Sequence, residues 1–128
     1  MSTKTFLTIH GVIYTVFGLG LFFIPNLLWP NYGLELNDKY SVFLSQHTTI
    51  FLGGIAIISL LFRDVEEKSV YARKILTSLL WTNILGVLIT LYAIYTGVFY
   101  GFGWSDPAFF TLLSILSYVK LKHNQYKQ

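Results

Sequence analysis

The sequence predicts an all-α fold, a four-transmembrane-helix bundle with its N and C termini cytoplasmic, and three observations predict it. First, 54% of the 128 residues are hydrophobic and only 12% are charged, about half the charged fraction of soluble domains. Second, the apolar runs are of membrane-spanning length: Tyr40 to Phe62 carries no formal charge, and Ile75 to Val119 carries only Asp106. A bilayer core is crossed by about 20 apolar residues. Third, eight of the nine basic residues fall on one side of the implied topology: Lys4, Arg63, Lys68, Arg73, Lys74, Lys120, Lys122 and Lys127, with Lys39 alone on the other. The positive-inside rule makes the first side cytoplasmic and the chain a multi-pass protein of the cell inner membrane.

The elements follow in order as one integral membrane domain over residues 1–128, with spans at about 5–25, 40–62, 72–97 and 105–121. Span one exceeds the usual core of a signal peptide, which is about 7 to 15 residues, and ends in Pro25-Asn26 rather than a small-residue cleavage site, so it is read as a retained helix. The outer loop PNLLWPNYGLELNDK mixes turn residues with leucines and is expected at the interface. In the inner loop, Asp64 and Glu67 have the spacing of a capping box, and Asp64 and Lys68 that of an i,i+4 pair. The 45-residue run from Ile75 to Val119 would be about 67 Å long as one helix, so it must break. Gly97, Gly101, Gly103 and Pro107 place the break, with Ser105 or Asp106 as the N-cap of span four. Trp29, Tyr32, Tyr40, Tyr100 and Trp104 suit an outer aromatic belt.

Polar and small residues inside the spans are the candidate functional positions. Ser45, Thr49 and Gly53 in span two, and Ser78, Thr82, Gly86 and Thr90 in span three, recur at every fourth residue; small side chains at that spacing let helices approach closely. Gln46 and His47 interrupt a lipid-soluble stretch. With Glu35, Tyr95, Trp104 and Asp106 they are candidates for an outer ligand-binding group, although interhelical hydrogen bonding explains them as well. His10, Tyr14, Asn83 and Ser114 fall at similar depth on the inner side and are expected to form a polar cluster.

Missing chemistry narrows the function. There is no cysteine, which removes disulfide, thiolate and dithiol redox chemistry. No His-Glu-x-x-His helix, nucleophile elbow or phosphate-binding glycine loop occurs, and no carboxylate sits in mid-span, as a small proton-coupled multidrug exporter would need. No catalytic residue, metal or cofactor is expected. The basic residues flank apolar runs rather than forming a stripe, so no nucleic-acid partner is expected either.

Gly18 to Pro25, YGLEL at 32 to 36, Gly53-Gly54, NILG at 83 to 86 and Trp104 together resemble a group of small uncharacterised bacterial four-helix integral membrane proteins, a domain of unknown function distantly similar to the Erg28-like family. That resemblance implies a scaffold that tethers membrane enzymes, and it carries over no catalytic residue. The residues themselves favour a non-enzymatic lipid- or lipophile-binding or scaffold subunit, with membrane lipids and a second copy or another membrane protein as partners. A small oligomeric transporter or channel using Gln46, His47, Glu35 and Tyr95 is the alternative. A membrane enzyme acting on a lipid or isoprenoid through His10, Tyr14, Asn83 and Ser114 is the third.

Overall fold

The computed structural model describes residues 1–125; Lys127 of the basic set lies outside them. Helix α1 spans Thr3–Phe23, a short α2 Pro25–Leu28, α3 Lys39–Leu61, α4 Val70–Tyr95 and α5 Ser105–His123. Single 3-10 turns at Trp29–Tyr32 and Gly101–Trp104 complete the outer connections, and there is no strand among the described residues.

Three of the helices, α1, α3 and α4, are long and apolar enough to cross a membrane, and the molecule is accordingly a helical membrane protein. Its surface agrees: Val16, Phe51, Leu61, Trp81, Ile89 and Ile115 are all exposed, a spread of large apolar side chains that water would not tolerate on a small monomer. The interior mixes apolar side chains with polar ones, Thr3, His10, Ser45, Ser59, Asn83, Thr90, Ser117 and Asn124 being buried. Helix α5 has 19 residues but is less apolar than the other three, because Asp106 stands in its first turn and Lys120, Lys122 and His123 in its last, with Thr111, Ser114 and Ser117 between. Each of these three hydroxyls donates to the carbonyl four residues back, at 2.7 to 2.8 Å, so the middle of α5 carries its polar groups already satisfied.

Packing is by pairs. Helix α1 lies closely along α3, and α4 along α5, while bulkier side chains join one pair to the other. Phe6 and Leu7 of α1 meet Ile75, Leu76 and Leu79 of α4 in one core cluster, and Tyr14, Ala56 and Leu113 form a second. Gly86 marks the closest approach within the second pair, where a Cβ would stand 2.6 Å from the Phe110 ring. Buried positions are 3, 6, 7, 10, 11, 14, 18 and 21 along α1 and 72, 75, 76, 79, 83 and 90 along α4, a spacing that keeps one face of each helix turned inward.

The inner end is clasped by polar contacts. The Thr3 amide donates to Glu67 at 2.7 Å, and Asn124 donates to the Thr3 hydroxyl at 3.0 Å while accepting from the Lys68 amide at 2.7 Å. Lys120 reaches the Met1 carbonyl, and Lys4 pairs with Asp64 at 2.8 Å. Both chain ends and the loop between α3 and α4 therefore share one end of the bundle. The expected capping box is not formed: Ser69 caps α4, accepting from the Ala72 amide at 3.0 Å. Asp64 and Glu67 turn instead toward the start of α1, where free amides favour a carboxylate.

Candidate ligand cavity and its polar floor

Toward the outer end the two helix pairs part around a cavity of about 230 Å³. Tyr14, Phe17 and Leu21 line it from α1, Thr48 and Leu52 from α3, Ile89 and Thr90 from α4, and Phe109 and Phe110 from α5. Trp29 and Phe99 come from the two outer connections, and Asp106 from the first turn of α5. Apart from that carboxylate, the tyrosine and two threonine hydroxyls, the lining is hydrocarbon and aromatic ring.

The roof is built by the outer loops holding each other. The Tyr100 amide donates to the Tyr32 carbonyl at 3.1 Å, and the Tyr100 ring lies against Gly33, whose φ of 97° suits glycine. Trp29 is fixed in turn: its indole N–H donates to the Ser45 hydroxyl at 2.7 Å, and that hydroxyl donates to the Leu21 carbonyl at 2.9 Å. The Tyr32 phenol sits beside Ser105 and Asp106; burial first, and then the Asp106 charge, raise its pKa above the ordinary value.

The floor is Tyr14, and beneath it lies a closed hydrogen-bond network. The Tyr14 hydroxyl donates to Asn83 Oδ1 at 2.7 Å, and Asn83 Nδ2 serves both the Leu79 carbonyl at 2.9 Å and His10 Nε2 at 3.0 Å. On its other side, His10 Nδ1 meets the Ser59 hydroxyl at 3.3 Å. With Asn83 donating to Nε2, the imidazole proton is assigned to Nδ1, which donates to Ser59. His10 and Tyr14, one turn apart, stack with ring centroids 4.7 Å apart and planes 14° from parallel. No buried side-chain polar atom among the described residues lacks a partner.

The structure thus brings His10, Tyr14 and Asn83 together and adds Ser59 of α3. Ser114 is not a member; it is half-buried and spends its hydroxyl on the Phe110 carbonyl within its own helix. The outer group does not converge. Gln46 donates to the Phe22 carbonyl at 3.3 Å, and His47 is exposed, flanked by Phe43 and Phe51. It lies two residues, about 200° around a helix, from buried Ser45. Glu35 is exposed beside Asn37, Tyr95 is 88% exposed and Trp104 is exposed too, so of the six only Asp106 reaches the cavity. It is not an N-cap, because α5 already begins at Ser105; one residue into the helix, its carboxylate shares the cavity wall.

The small-residue ridges also divide. Ser45 and Thr90 are buried, Thr49, Gly53, Thr82 and Gly86 are half-buried, and Ser78 is exposed. Each four-residue step advances about 40° beyond a full turn, so such a ridge winds off the interface. Gly86 receives Phe110, whereas nothing lies within 4 Å of a Cβ built on Gly53.

No family model, no curated protein and no solved structure matches the chain.

Proposed function

We propose that this is a four-span protein, α5 included, that binds a lipophilic molecule between its two helix pairs without transforming it. The observation that carries the reading is the apolar cavity of about 230 Å³ in a molecule whose inner end and middle are closed by mutually satisfied polar groups. An engineered cavity of about 150 Å³ suffices for benzene, and ligand sites are characteristically apolar hollows with a few placed polar groups. Thr48 and Ile89 are wall residues that stay exposed, which favours entry from the lipid between α3 and α4. The clustered basic residues at the clasped end support a cytoplasmic location for both termini and an inner-membrane setting. Helix α5 fits a fourth span because its hydroxyls are internally bonded and Lys120 and Lys122 lie in its last turn, where long basic side chains reach the interface.

The test uses Trp29 as a reporter in a Trp81→Phe/Trp104→Phe variant, since both removed indoles are exposed. In nanodiscs, bromobenzene is expected to quench Trp29 emission saturably, and the double variant Thr48→Phe/Thr90→Phe, whose two rings together occupy most of the cavity, to abolish the saturable part. Linear quenching that the double variant leaves unchanged would overturn the proposal.

A further inference from the structure

Resting on that reading, we propose that the ligand is a lipophilic monocation: an ammonium group carried on a single aromatic ring or a branched hydrocarbon of similar bulk, with its nitrogen beside Asp106. The cavity needs no carboxylate for packing, and one placed in an apolar wall is expensive without a partner. Asp106 has the Tyr32 phenol, shared with Ser105, as its polar neighbour. It has no cationic one: the ion pairs among the described residues join Lys4 and Arg63 to Asp64 at the opposite end. Lys39, the one basic residue of the outer side, lies over the Tyr40 ring, 5.2 Å from its centroid.

The remaining walls suit the same charge. Trp29, Phe99, Phe109 and Phe110 present four aromatic rings to the cavity that Asp106 borders, and ring faces attract an ammonium most strongly where water is excluded. A neutral lipophile would leave the carboxylate with the Tyr32 phenol and no counter-charge; an anion would be repelled by it in surroundings of low dielectric, where Coulomb interactions are strong. The volume sets the size: about 230 Å³, against the roughly 150 Å³ that holds benzene, leaves room for one ring and a short aminoalkyl arm but not for a fused polycyclic cation. Phe17, Leu52 and Phe109 line the same cavity as Asp106, so on this inference they surround the ring while the carboxylate receives the arm.

The probes are phenethylamine and its neutral isostere propylbenzene, each displacing bromobenzene from the Trp29 reporter, with affinities corrected for partition into protein-free nanodiscs. The amine is expected to bind at least about ten-fold tighter, as a charge-assisted hydrogen bond allows. Asp106→Asn should remove that advantage while keeping propylbenzene within about two-fold. Equal affinities in the parent chain, or an amine preference that survives Asp106→Asn, would overturn the inference and leave the lipophile site standing. If Asp106→Asn loses both probes, the preference measured in the parent chain decides: ten-fold or more upholds the inference, and parity ends it. If neither probe displaces bromobenzene from the parent chain, the inference falls, and if bromobenzene itself never saturates, the lipophile site falls with it.

Discussion

Asn83→Leu should loosen the join between the two helix pairs, and its cost can be worked from the geometry. Asn83 is fully buried in α4 and makes two bonds to α1, at 2.7 Å to Tyr14 and 3.0 Å to His10. Interhelical hydrogen bonds in membranes average about 0.6 kcal/mol with a maximum near 1.7, so losing both removes about 1.2 to 3.4 kcal/mol. The Tyr14 hydroxyl and His10 Nε2 would then be left in hydrocarbon without partners, which pushes toward the upper figure. The leucine's improved apolar contact pushes the other way. Tyr14→Phe deletes one of the two bonds and keeps the ring stacked on His10, so about 0.6 to 1.7 kcal/mol is expected for it. The double variant should cost less than the two singles added, because they share one bond.

Unfolding in mixed micelles by increasing dodecyl sulfate, followed by circular dichroism, measures all four corners of that cycle. Asn83→Leu within 0.3 kcal/mol of the parent, or strict additivity in the cycle, would refute the view that this network fastens the pairs. The same variants separate fold from ligand site: Tyr14→Phe preserves the cavity floor and should leave bromobenzene affinity within about two-fold.

Three further outcomes are expected. Gly33→Ala must place a side chain at φ 97° with its Cβ 2.5 Å from the Tyr100 ring; it should lower stability by about 1 to 2 kcal/mol from the backbone alone, read as a lower thermal midpoint, and weaken bromobenzene binding by disturbing the roof. Glu67, held below its ordinary 4.5 chiefly by the Thr3 amide, contributes stability that is complete above that value and lost as the pH falls through its lower folded value. Glu67→Gln should therefore flatten the acid limb of a stability-against-pH curve and weaken the fold at neutral pH. Because the chain has no cysteine, single replacements at Asn37 and Gln125 give a clean topology test: an impermeant maleimide added to intact cells should label Asn37→Cys alone, and labelling at both would end the proposed orientation.

The helix ends lie within two residues of the boundaries expected from the sequence, 5–25 against Thr3–Phe23 and 105–121 against Ser105–His123 being typical. Uninterrupted apolar runs report directly on helix length in lipid, so these were legible. Facing was less so. A four-residue ridge drifts about 40° per step, whereas seven residues fall only about 20° short of two full turns. Heptad spacing along α3 picks out Ser45, Leu52 and Ser59, and so would have found the Ser59 partner of His10 and a cavity wall that the spacing through Thr49 and Gly53 missed. His47 misled for the same reason, since chemical prominence says nothing of azimuth. The cavity itself was illegible: it arises where two connections, sixty-odd residues apart in sequence, meet through Tyr32 and Tyr100, and no local pattern encodes that meeting. Asp106 was visible as a helix-start residue, but its place in the wall depends on α5 beginning one residue earlier.

The distribution of filled and unfilled space bears on why the cavity persists. At the inner end the polar clasp joins Thr3, Glu67, Lys68 and Asn124, and in the middle His10, Asn83 and Ser59 occupy the seam with every polar atom paired. The hollow between the two helix pairs lies toward the outer end, whereas the hollows along α1 and α3 and beside the start of α4 are grooves on the surface. Were the hollow between the pairs closed and void, a volume of about 230 Å³ at about 24 cal/mol per Å³ would forfeit roughly 5 kcal/mol; because Thr48 and Ile89 leave it open to lipid, acyl chains entering it reduce that cost. A leucine at Thr48 or Thr90 would add about 50 Å³ and recover about 1 kcal/mol of that, and the surrounding aromatic rings supply rigid walls. On the proposal of a bound lipophile, the occupant offsets what remains of that cost, and the carboxylate in the wall favours one that carries positive charge.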